Sequence, residues 1–445
     1  MTLGSESLLQ NLAALAAEAC SPRRYVVAFS GGLDSTVLLH ALATASAQHR
    51  VELLAVHVHH GLQAAADQWV EHCRTVAAGF GVEYHVARVS VDLAAGLGLE
   101  AAAREARYRA LRALLQADDW LLSAHHQDDQ AETLLLNLLR GGGLAGLAGI
   151  GGVRPFGAGW LVRPLLPFSR NDLLAYAQRH QLSWIDDPSN TDQGRDRNFL
   201  RHEILPRLAA RWPDAAACLQ RSGRIAGDAA LLLDDLAAID AIEVCAGRDR
   251  LCIDALHRLA AARQRNVLRY AIRQLGLPTP SAAQLQQVLE TLLPAREDAE
   301  PKVCWPGVEI RRYRGQLYLL PEALSAEPRD VIAVGGRDYL QLDHGLGELR
   351  LEAGAAEGLS ETLVSRGLEL RFRQGGEKFK PIGQSHTKKL KKLLQEAGVV
   401  PWMRDRIPLL YAGGELVAVA DLWLAAGAAS RPGVAIHWEN RPSIH

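Results

Sequence analysis

Residues 30–35, Ser-Gly-Gly-Leu-Asp-Ser, have the composition of a phosphate-binding loop. An apolar run, residues 25–29, precedes this hexapeptide, and a second apolar run begins at Thr36. Two adjacent glycines allow a sharp turn whose N–H groups converge, and the helix that follows adds the positive end of its dipole. The pattern therefore predicts a strand, a tight loop suited to phosphate, and a helix.

Asp34 is the unusual member of this loop, because a carboxylate beside a phosphate repels it unless a cation lies between them. We therefore expect a nucleotide site that also holds Mg²⁺. The simpler alternative is a helix start in which Asp34 or Ser35 caps the helix. The spacing excludes two other nucleotide motifs, since no Gly-Lys-Ser/Thr follows and the glycines do not form G-x-G-x-x-G.

A second polar group begins at His125 and His126, directly after the apolar residues 120–124. If a helix begins near Gln127, then Asp128 and Glu132 share one of its faces and Asp129 lies a quarter turn away. Acidic residues in a first turn favour the helix dipole, and they also suit Mg²⁺ bound by carboxylates and phosphate oxygens. A zinc site of His125, His126 and Asp129 is a further alternative, although it requires a bend.

Further candidates are basic or imidazole side chains near the predicted ends of strands. Arg104 and Arg107 lie one turn apart on a predicted helix, where they could hold phosphate or form a solvated face. Arg197 and Arg201 begin another helix after a polar loop, where anion or nucleic-acid contact and a capped surface helix are both open. His59 and His60 follow the strand of residues 51–58, which places them beside the loop at residues 30–35. Their alternative role is to form local hydrogen bonds at the end of the strand.

The elements that must position these side chains alternate between strand and helix. The predicted strands cover residues 25–29, 51–58, 82–89 and 120–124. Strands separated by helices of about a dozen residues favour a parallel sheet covered on both faces, with the ligand at the carboxyl ends of the strands. The sequence thus predicts an α/β domain with the loop, the histidines and the acidic residues at one edge.

The loop at residues 30–35 resembles the PP-loop of the N-type ATP pyrophosphatases at every position. The acidic segment, the arginine-rich helix and the patterns W-x-x-D-x-S-N (from Trp184) and R-N-x-x-R (from Arg197) resemble the tRNA-lysidine synthases within that superfamily. This resemblance implies ATP as co-substrate, Mg²⁺, L-lysine and the isoleucine tRNA with the anticodon CAU. It also implies attack of the cytidine 2-oxo group on the α-phosphate, then replacement of AMP by the lysine ε-amine.

The resemblance also assigns roles to residues. The implied nucleotide-binding residues are Ser30, Gly31, Gly32, Leu33, Asp34, Ser35 and His59. Asp34 with Asp129, or with Asp128 in its place, is expected to place Mg²⁺, and Arg104 to steady charge on the adenylyl group. Asp128 and His126 are the two candidates for the general base.

Lysine is rare in this chain except in one segment. Of the seven lysines, six fall between residues 378 and 392, whereas the chain has forty-two arginines. This lysine cluster consists of Lys378, Lys380, Lys388, Lys389, Lys391 and Lys392. With four arginines (Arg371, Arg373, Arg404, Arg406) and three aromatic residues (Phe372, Phe379, Trp402) nearby, it favours a nucleic-acid surface over a solvated helix face.

The segment from Thr387 to Pro408 resembles the C-terminal domain of the same family, with a helix predicted over residues 387–398. The resemblance implies tRNA contacts from Arg197, Arg201, Lys388, Lys389, Lys391, Lys392 and Arg404.

Composition bounds the remaining alternatives. With 445 residues, 48% of them apolar, and a net charge of −1, the chain predicts two or three globular domains. No stretch is long and apolar enough for a membrane span, and no secretory leader is recognisable, so we expect a cytoplasmic protein. Six scattered cysteines without C-x-x-C argue against disulfides, zinc and iron–sulfur clusters, and against the runner-up function, a PP-loop tRNA thiolase.

The expected domains are a PP-loop catalytic domain (residues 1–212), a helical substrate-binding domain (213–325), a linker (326–362) and a small α+β tRNA-binding domain (363–445). A tRNA-binding protein with a degenerate nucleotide site is the alternative outside enzymes. The sequence leaves the oligomeric state open between monomer and homodimer.

Overall fold

The computed structural model describes residues 2–46, 51–61, 66–91, 99–188, 194–296, 301–322, 331–334 and 339–444. The chain divides into two compact units, Met1–Leu232 and Leu233–His445. The boundary falls inside one long helix, Ala215–Val244.

The first unit is built on a six-stranded sheet. Its strands are β1 (Arg24–Ala28), β2 (Glu52–His59), β3 (Glu83–Arg88), β4 (Asp119–Leu122), β5 (Val153–Phe156) and β6 (Gly159–Val162). Their order is β3-β2-β1-β4-β6-β5, and every neighbouring pair is parallel except β5 with β6. The predicted parallel α/β sheet is confirmed.

Helices make up the rest of the regular structure described for the first unit. They are α1 (Ser5–Leu15), α2 (Leu33–Ser46), α3 (Ala66–Gly79), α4 (Leu99–Leu114), α5 (Gln127–Leu139), α6 (Leu144–Leu147), α7 (Arg170–Arg179), α8 (Asp196–Phe199), α9 (Leu205–Arg211) and α10 (Ala215–Val244), with a π-helical turn at Leu200–Ile204. Successive strand residues point to opposite faces, so Val26 packs in the core with Leu111 of α4, whereas Val27 packs with Val37 of α2. Both valines are fully buried.

The second unit begins with helices and an antiparallel sheet. Its first elements are β7 (Cys245–Gly247), β8 (Arg250–Cys252), α11 (Ile253–Arg258), α12 (Ala261–Gln274), α13 (Ala282–Gln287), β9 (Lys302–Trp305), β10 (Val308–Tyr313) and β11 (Gln316–Pro321). The strand order is β7-β8-β11-β10-β9. The expectation of a mostly helical segment misses this sheet, because its strands have three to six residues and turn tightly at Gly307 and Gly315.

The rest of the second unit is an α+β arrangement. Its elements are β12 (Ile332–Ala333), β13 (Tyr339–Gln341), β14 (Glu348–Ala355), β15 (Gly358–Leu359), α14 (Glu361–Ser365), β16 (Glu369–Arg371), β17 (Lys378–Phe379), β18 (Lys388–Lys389), α15 (Leu390–Glu396), β19 (Leu409–Ala412), β20 (Glu415–Val419), β21 (Trp423–Leu424), β22 (Ala429–Ser430) and β23 (Gly433–Glu439). They form two five-stranded sheets, β12-β16-β19-β20-β21 and β13-β14-β23-β15-β22, and the pair β17-β18.

The segment expected to be a linker contributes to this fold where it is described. β14 pairs along most of its length with β23 near the end of the chain. Leu340, Leu349 and Leu351 lie in the same core as Leu390 and Leu410. The difference arises because the partner strand comes about eighty residues later, a pairing that local sequence patterns do not reveal.

Candidate functional site

The loop at residues 30–35 turns at the carboxyl end of β1 and leads into α2. The hydroxyl oxygens of Ser30 and Ser35 lie 3.1 Å apart, and the Ser35 hydroxyl donates to the carbonyl of Gly32. Thr36 is fully buried and donates through its hydroxyl to the carbonyl of Gly31. The loop is therefore held by its own hydroxyl groups at the edge where the sequence predicts the ligand.

Gly31 is required by both conformation and space. Its φ of +84° belongs to the left-handed region, and a Cβ there would lie 2.7 Å from Sγ of Cys73 and 2.8 Å from Cδ1 of Ile185. Ile185 also donates its backbone N–H to the carbonyl of Gly31 over 2.9 Å. The chain after Trp184 thus packs directly on the loop. Ser189 and Asn190 of the second motif lie outside the described residues.

Three carboxylates surround one buried histidine at the start of α5. His126 caps this helix, which begins at Gln127 as predicted. Nε2 of His126 lies 3.7 Å from Asp34 Oδ2 and 3.5 Å from Asp129 Oδ2, and Nδ1 lies 3.5 Å from Asp128 Oδ2. The structure therefore brings together Asp34, Asp128 and Asp129, the three acidic residues predicted for the site.

These contacts set the charge of the histidine. Burial alone lowers the pKa of His126, but hydrogen bonds to Asp128 and Asp34 and the charge of Asp129 raise it to about 10. The carboxylates therefore favour the protonated ring when no cation is bound to them, and the choice of general base between His126 and Asp128 stays a prediction. Burial by itself raises the pKa of Asp129, yet the charges of His126, His125 and Arg197 bring it below its usual range. Asp129 is therefore ionised.

Arg197 and Arg201 bind the acidic face of α5. Arg197 Nε donates to Glu132 over 2.7 Å, and Arg201 contacts Glu132 over 2.6 Å and Asp129 over 3.2 Å. Glu132 is fully buried, whereas the two arginine side chains are 36% and 22% exposed. We call Asp129, Glu132, Arg197 and Arg201 the acid–arginine network. In the structure these arginines hold carboxylates, and a tRNA contact from them stays a prediction.

The network shows contacts of Glu132 that helix spacing alone did not predict. Helix spacing placed Glu132 on one face with Asp128, four residues away, and the arginines join Glu132 to Asp129, three residues away. Side chains three or four residues apart are neighbours on a helix, so spacing allows Glu132 to lie near Asp128 or near Asp129. The arginines bridge Glu132 to Asp129. Asp128 is turned instead toward His126 and the backbone N–H of Arg170, which donates to it over 2.8 Å.

A cavity of about 530 Å³ opens beside the loop. Its lining includes the predicted residues Ser30, Gly32, Leu33, Asp34, Ser35, His59, Asp129 and Arg201. Arg107 lines it, while Arg104 is exposed, stacks on Tyr108 and is not part of the lining. The role predicted for Arg104 stays a prediction, and Arg107 is the member of the pair that faces the cavity.

The cavity also contains residues that the sequence analysis did not assign to the site. They are Trp69, Ser123, Arg170, Asp186 and Asp187. Asp186 and Asp187 belong to the motif that begins at Trp184, so their position was signalled by the resemblance. Trp69 and Arg170 carry no local signal, because tertiary packing of α3 and α7 brings them to this edge.

The donor set fits a hard divalent cation. Asp34 Oδ1 is buried and, among the described residues, has no hydrogen-bond partner. An unpaired carboxylate oxygen near a second ionised carboxylate suits Mg²⁺, which takes one or two carboxylates together with phosphate oxygens. The zinc alternative is not supported, since the described residues contain no group of three or more His, Cys, Asp or Glu with metal-site geometry. His125 Nδ1 instead contacts the Ser123 hydroxyl at 2.5 Å.

The lysine cluster has a different local structure from the one predicted. The helix begins at Leu390, not at residue 387, because Lys388 and Lys389 form β18 and pair with Phe379 and Lys378 of β17. Every lysine of the cluster is exposed except the half-buried Lys388. The cluster is thus a surface made by a small hairpin and the first turn of α15.

The arginines and aromatic residues near the cluster are part of the fold. Phe372, Phe379 and Trp402, which the sequence places near the cluster, are buried and are not available to stack on bases. Arg404 donates to the carbonyl of Val399 over 2.9 Å and to the hydroxyl of Tyr313. Its predicted contact with tRNA has no support in this arrangement and stays a prediction.

Other arginines near the cluster also form ion pairs: Arg371 pairs with Glu369 and Arg373 with Asp405.

No described helix combines the length and apolar character needed to cross a lipid bilayer.

Family models match most of the chain. A PP-loop domain matches residues 5–208, a TilS substrate binding domain matches residues 251–318, and a TilS substrate C-terminal domain matches residues 368–438. The first match contains the loop, the acid–arginine network and the cavity. The last match contains the lysine cluster.

Relatives of similar length match over nearly the whole chain. A tRNA(Ile)-lysidine synthase of Alkalilimnicola ehrlichii is 45% identical over 438 residues, which is 97% of this chain and 96% of that protein. The tRNA(Ile)-lysidine synthase of Methylococcus capsulatus is 43% identical and covers 93% of this chain and 96% of its own length. The protein of the same name from Coxiella burnetii is 41% identical, with coverage of 92% and 90%.

Proposed function

The chain belongs to the tRNA(Ile)-lysidine synthase family of ATP-dependent ligases, and we propose that it joins L-lysine to C2 of the wobble cytidine in the CAU-anticodon isoleucine tRNA. The products are lysidine in the tRNA, AMP and pyrophosphate. The bacterial relatives make the cytoplasm the expected location.

The chemistry needs activation of the cytidine, because its 2-oxo group cannot leave as oxide. The oxygen at C2 attacks the α-phosphate of ATP, and the bond to pyrophosphate breaks. The lysine ε-amine, once it has lost a proton, then attacks C2 and expels AMP. Positioning and charge stabilisation are the protein's main contributions to such a transfer.

The loop at residues 30–35 is suited to hold the pyrophosphate part of ATP. Its glycines, its hydroxyl groups and the start of α2 provide donors at the edge of the cavity. Asp34 and Asp129 would hold Mg²⁺, which neutralises phosphate oxygens when it is bound. The unpaired Oδ1 of Asp34 is the single observation that carries this assignment.

The acid–arginine network supports a positioning role for α8 and the turn after it. Glu132 accepts from both arginines and lies fully buried behind Asp129. Arg201 also lines the cavity, so it can meet a phosphate while it holds Asp129. The network thereby fixes the direction of a carboxylate that is expected to bind the metal ion.

The lysine cluster is proposed to bind the phosphate backbone of the tRNA. Lys378 stands directly opposite Lys389 in the β17-β18 pair, and like charges in this arrangement repel each other. A phosphate between them removes that repulsion. Lysine acts as a point charge and reads no base, so this surface supplies affinity and not sequence recognition.

The runner-up thiolase has no support in the described cysteines. All six are free thiols, and Cys73, the cysteine nearest the loop, is buried. Burial raises the pKa of the Cys73 thiol to about 12, so it is a poor nucleophile at neutral pH.

Pyrophosphate release and lysine incorporation test the proposal together. We expect repeated release of pyrophosphate from ATP only when L-lysine and the CAU-anticodon isoleucine tRNA are both present, with labelled lysine recovered in the tRNA. The methionine tRNA with the same anticodon is the matched control and should take up no label. Release that does not depend on tRNA, or label that never enters it, would contradict the proposal.

A further inference from the structure

Three arginines meet around one tyrosine in the first unit. Arg104 donates to the hydroxyl of Tyr108 over 3.5 Å, and its Cζ lies 5.0 Å from the centre of the ring. Cζ of Arg107 lies 5.5 Å from the same ring. Arg163 is 6% exposed, donates to the carbonyl of Gly151, and also has the Tyr108 hydroxyl as a polar partner. We call Arg104, Arg107 and Arg163 the arginine cluster.

Arg24, Arg197 and Arg201 of the first unit contact buried carboxylates, whereas this cluster has no such contact among the described side chains. Among the residues whose side chains the structure describes, no aspartate or glutamate lies at ion-pair distance from any of its three members, and Nε of Arg163 has no hydrogen-bond partner. Burial, with the charge of Arg104, lowers the pKa of Arg107, and burial with the charge of Arg154 lowers that of Arg163. Buried positive charge without a counter-charge favours the binding of an anion.

The cluster lies at the edge of the sheet that carries the site. Arg163 directly follows β6, so it lies at the carboxyl end of that strand, and Arg104 and Arg107 lie on either side of the midpoint of α4. Arg107 lines the same cavity as the loop and Asp129. The anion must therefore belong to a molecule that enters this cavity.

We propose that Arg107, supported by Tyr108 and Arg163, binds the α-carboxylate of the amino acid substrate, L-lysine. This inference rests on the proposed function, which brings three anions to the protein: ATP, tRNA and the lysine carboxylate. In the proposed function, the loop and a cation held by Asp34 and Asp129 would bind the phosphates of ATP, and the lysine cluster would bind those of the tRNA. A planar guanidinium pairs with a planar carboxylate through two parallel hydrogen bonds, and an anchor at that end leaves the ε-amine free to reach the cytidine.

A substitution with a neutral side chain of similar length tests this contact. In Arg107→Met, the KM for lysine should rise about 10- to 100-fold, because a hydrogen-bonded charge pair to the carboxylate is lost. Cadaverine, which is lysine without its carboxylate, should inhibit the variant and the unchanged protein with the same inhibition constant. The KM for ATP and the affinity for tRNA should stay the same. Arg109→Met is the matched control, since Arg109 is exposed on the same helix and does not line the cavity.

Two results would overturn the inference. An equal loss for lysine and cadaverine means that Arg107 shapes the site without contacting the carboxylate. A raised KM for ATP, or weaker tRNA binding, with an unchanged KM for lysine assigns Arg107 to a phosphate. If Arg107→Met does not fold, Arg107→Lys replaces it in the test. The expected result is a smaller rise in the KM for lysine with an unchanged inhibition constant for cadaverine. No rise in the KM for lysine would overturn the inference.

Equilibrium dialysis of labelled lysine separates this inference from the proposed function. The dialysis measures lysine binding without turnover, in the full chain with ATP and Mg²⁺ present. Weaker binding of lysine to Arg107→Met supports the inference even if the unchanged protein never transfers lysine to tRNA, a result that would refute the proposed function alone. Equal binding of lysine to both proteins overturns the inference whatever the activity.

Discussion

Two basic regions that look equivalent in the sequence have opposite surroundings in the structure. In the first unit, Arg197 and Arg201 are bound to the buried Glu132 and to Asp129. In the second unit, the exposed Lys378, Lys380, Lys389 and Lys391 have, among the residues that the structure describes, no carboxylate at ion-pair distance. The first set of charges is used inside the protein, and the second is available to a partner.

The difference teaches that side-chain chemistry separates the two roles better than charge does. Arginine presents a rigid fork that binds two carboxylate oxygens at once, which suits it to buried positions. Lysine is a flexible, strongly hydrated point charge, which suits it to an exposed phosphate surface. Around the lysine cluster the same rule holds, because Arg371, Arg373 and Arg404 are all engaged within the fold.

The largest effect on activity is expected at Asp34. Its carboxylate lies beside the acid–arginine network and has an unpaired oxygen, Oδ1. Asp34→Asn should leave the fold intact and lower pyrophosphate release by at least about 100-fold, because the ligand of the metal ion is lost. A helix cap would survive this change, since asparagine caps as well as aspartate does. Stopped assays of pyrophosphate, with circular dichroism as the folding control, make the measurement. Normal turnover in a folded variant would exclude the metal role of Asp34.

Each basic region contains one glutamate that pairs with two basic side chains, and replacing these glutamates compares the stability that each region contributes. Glu132→Gln leaves the two arginines with Asp129 as their remaining counter-charge and should lower the free energy of unfolding by about 2–4 kcal/mol, discounted for the partial exposure of Arg197. Glu396→Gln is the matched control, since Glu396 pairs with Lys388 and Lys392 at the surface and should cost less than about 0.5 kcal/mol. Urea unfolding of both variants gives the two values, and equal losses would contradict the contrast.

The smallest effect concerns repulsion within the lysine cluster. Lys378→Ala removes one of two lysines that stand opposite each other in the β17-β18 pair, so it should stabilise the protein by a few tenths of a kcal/mol, about 0.2–0.5. Lys380→Ala is the control, because Lys380 lies outside the described pairing of β17 with β18. Thermal unfolding at low salt measures both, and a clear loss of stability in Lys378→Ala would show that its charge is needed by the fold.

The parallel sheet and the loop could be predicted from sequence because both depend on local signals. Alternating strands and helices, and the adjacent glycines with Asp34, lie within short windows of the chain. Gly31 adds a physical reason that only the structure provides, since Cys73 and Ile185 occupy the space that a Cβ needs.

The parts that could not be predicted depend on distant partners. Glu132 was grouped with Asp128 because helix spacing alone cannot include Arg197, which comes 65 residues later and turns the pairing toward Asp129. The expected linker was assigned to no domain because β14 finds its partner in β23 at the end of the chain. The aromatic residues near the lysine cluster were counted as part of a nucleic-acid surface, and only packing shows that Phe379 and Trp402 are buried.

The salt dependence of tRNA binding tests the contrast between the two regions most directly. The variant with Lys378, Lys380, Lys389 and Lys391 all changed to Ala should bind tRNA with a slope of log K against log salt that is shallower by roughly 0.7–0.9 per phosphate contact, about three if all four meet phosphates. The loss should be equal for cognate and non-cognate tRNA, and the KM for ATP should not change, since every residue lining the cavity belongs to the first unit. The double variant Lys388→Ala with Lys392→Ala, whose lysines pair with Glu396, should lose less slope. An unchanged slope in the fourfold variant would contradict the account, because the exposed lysines would then form only a solvated face.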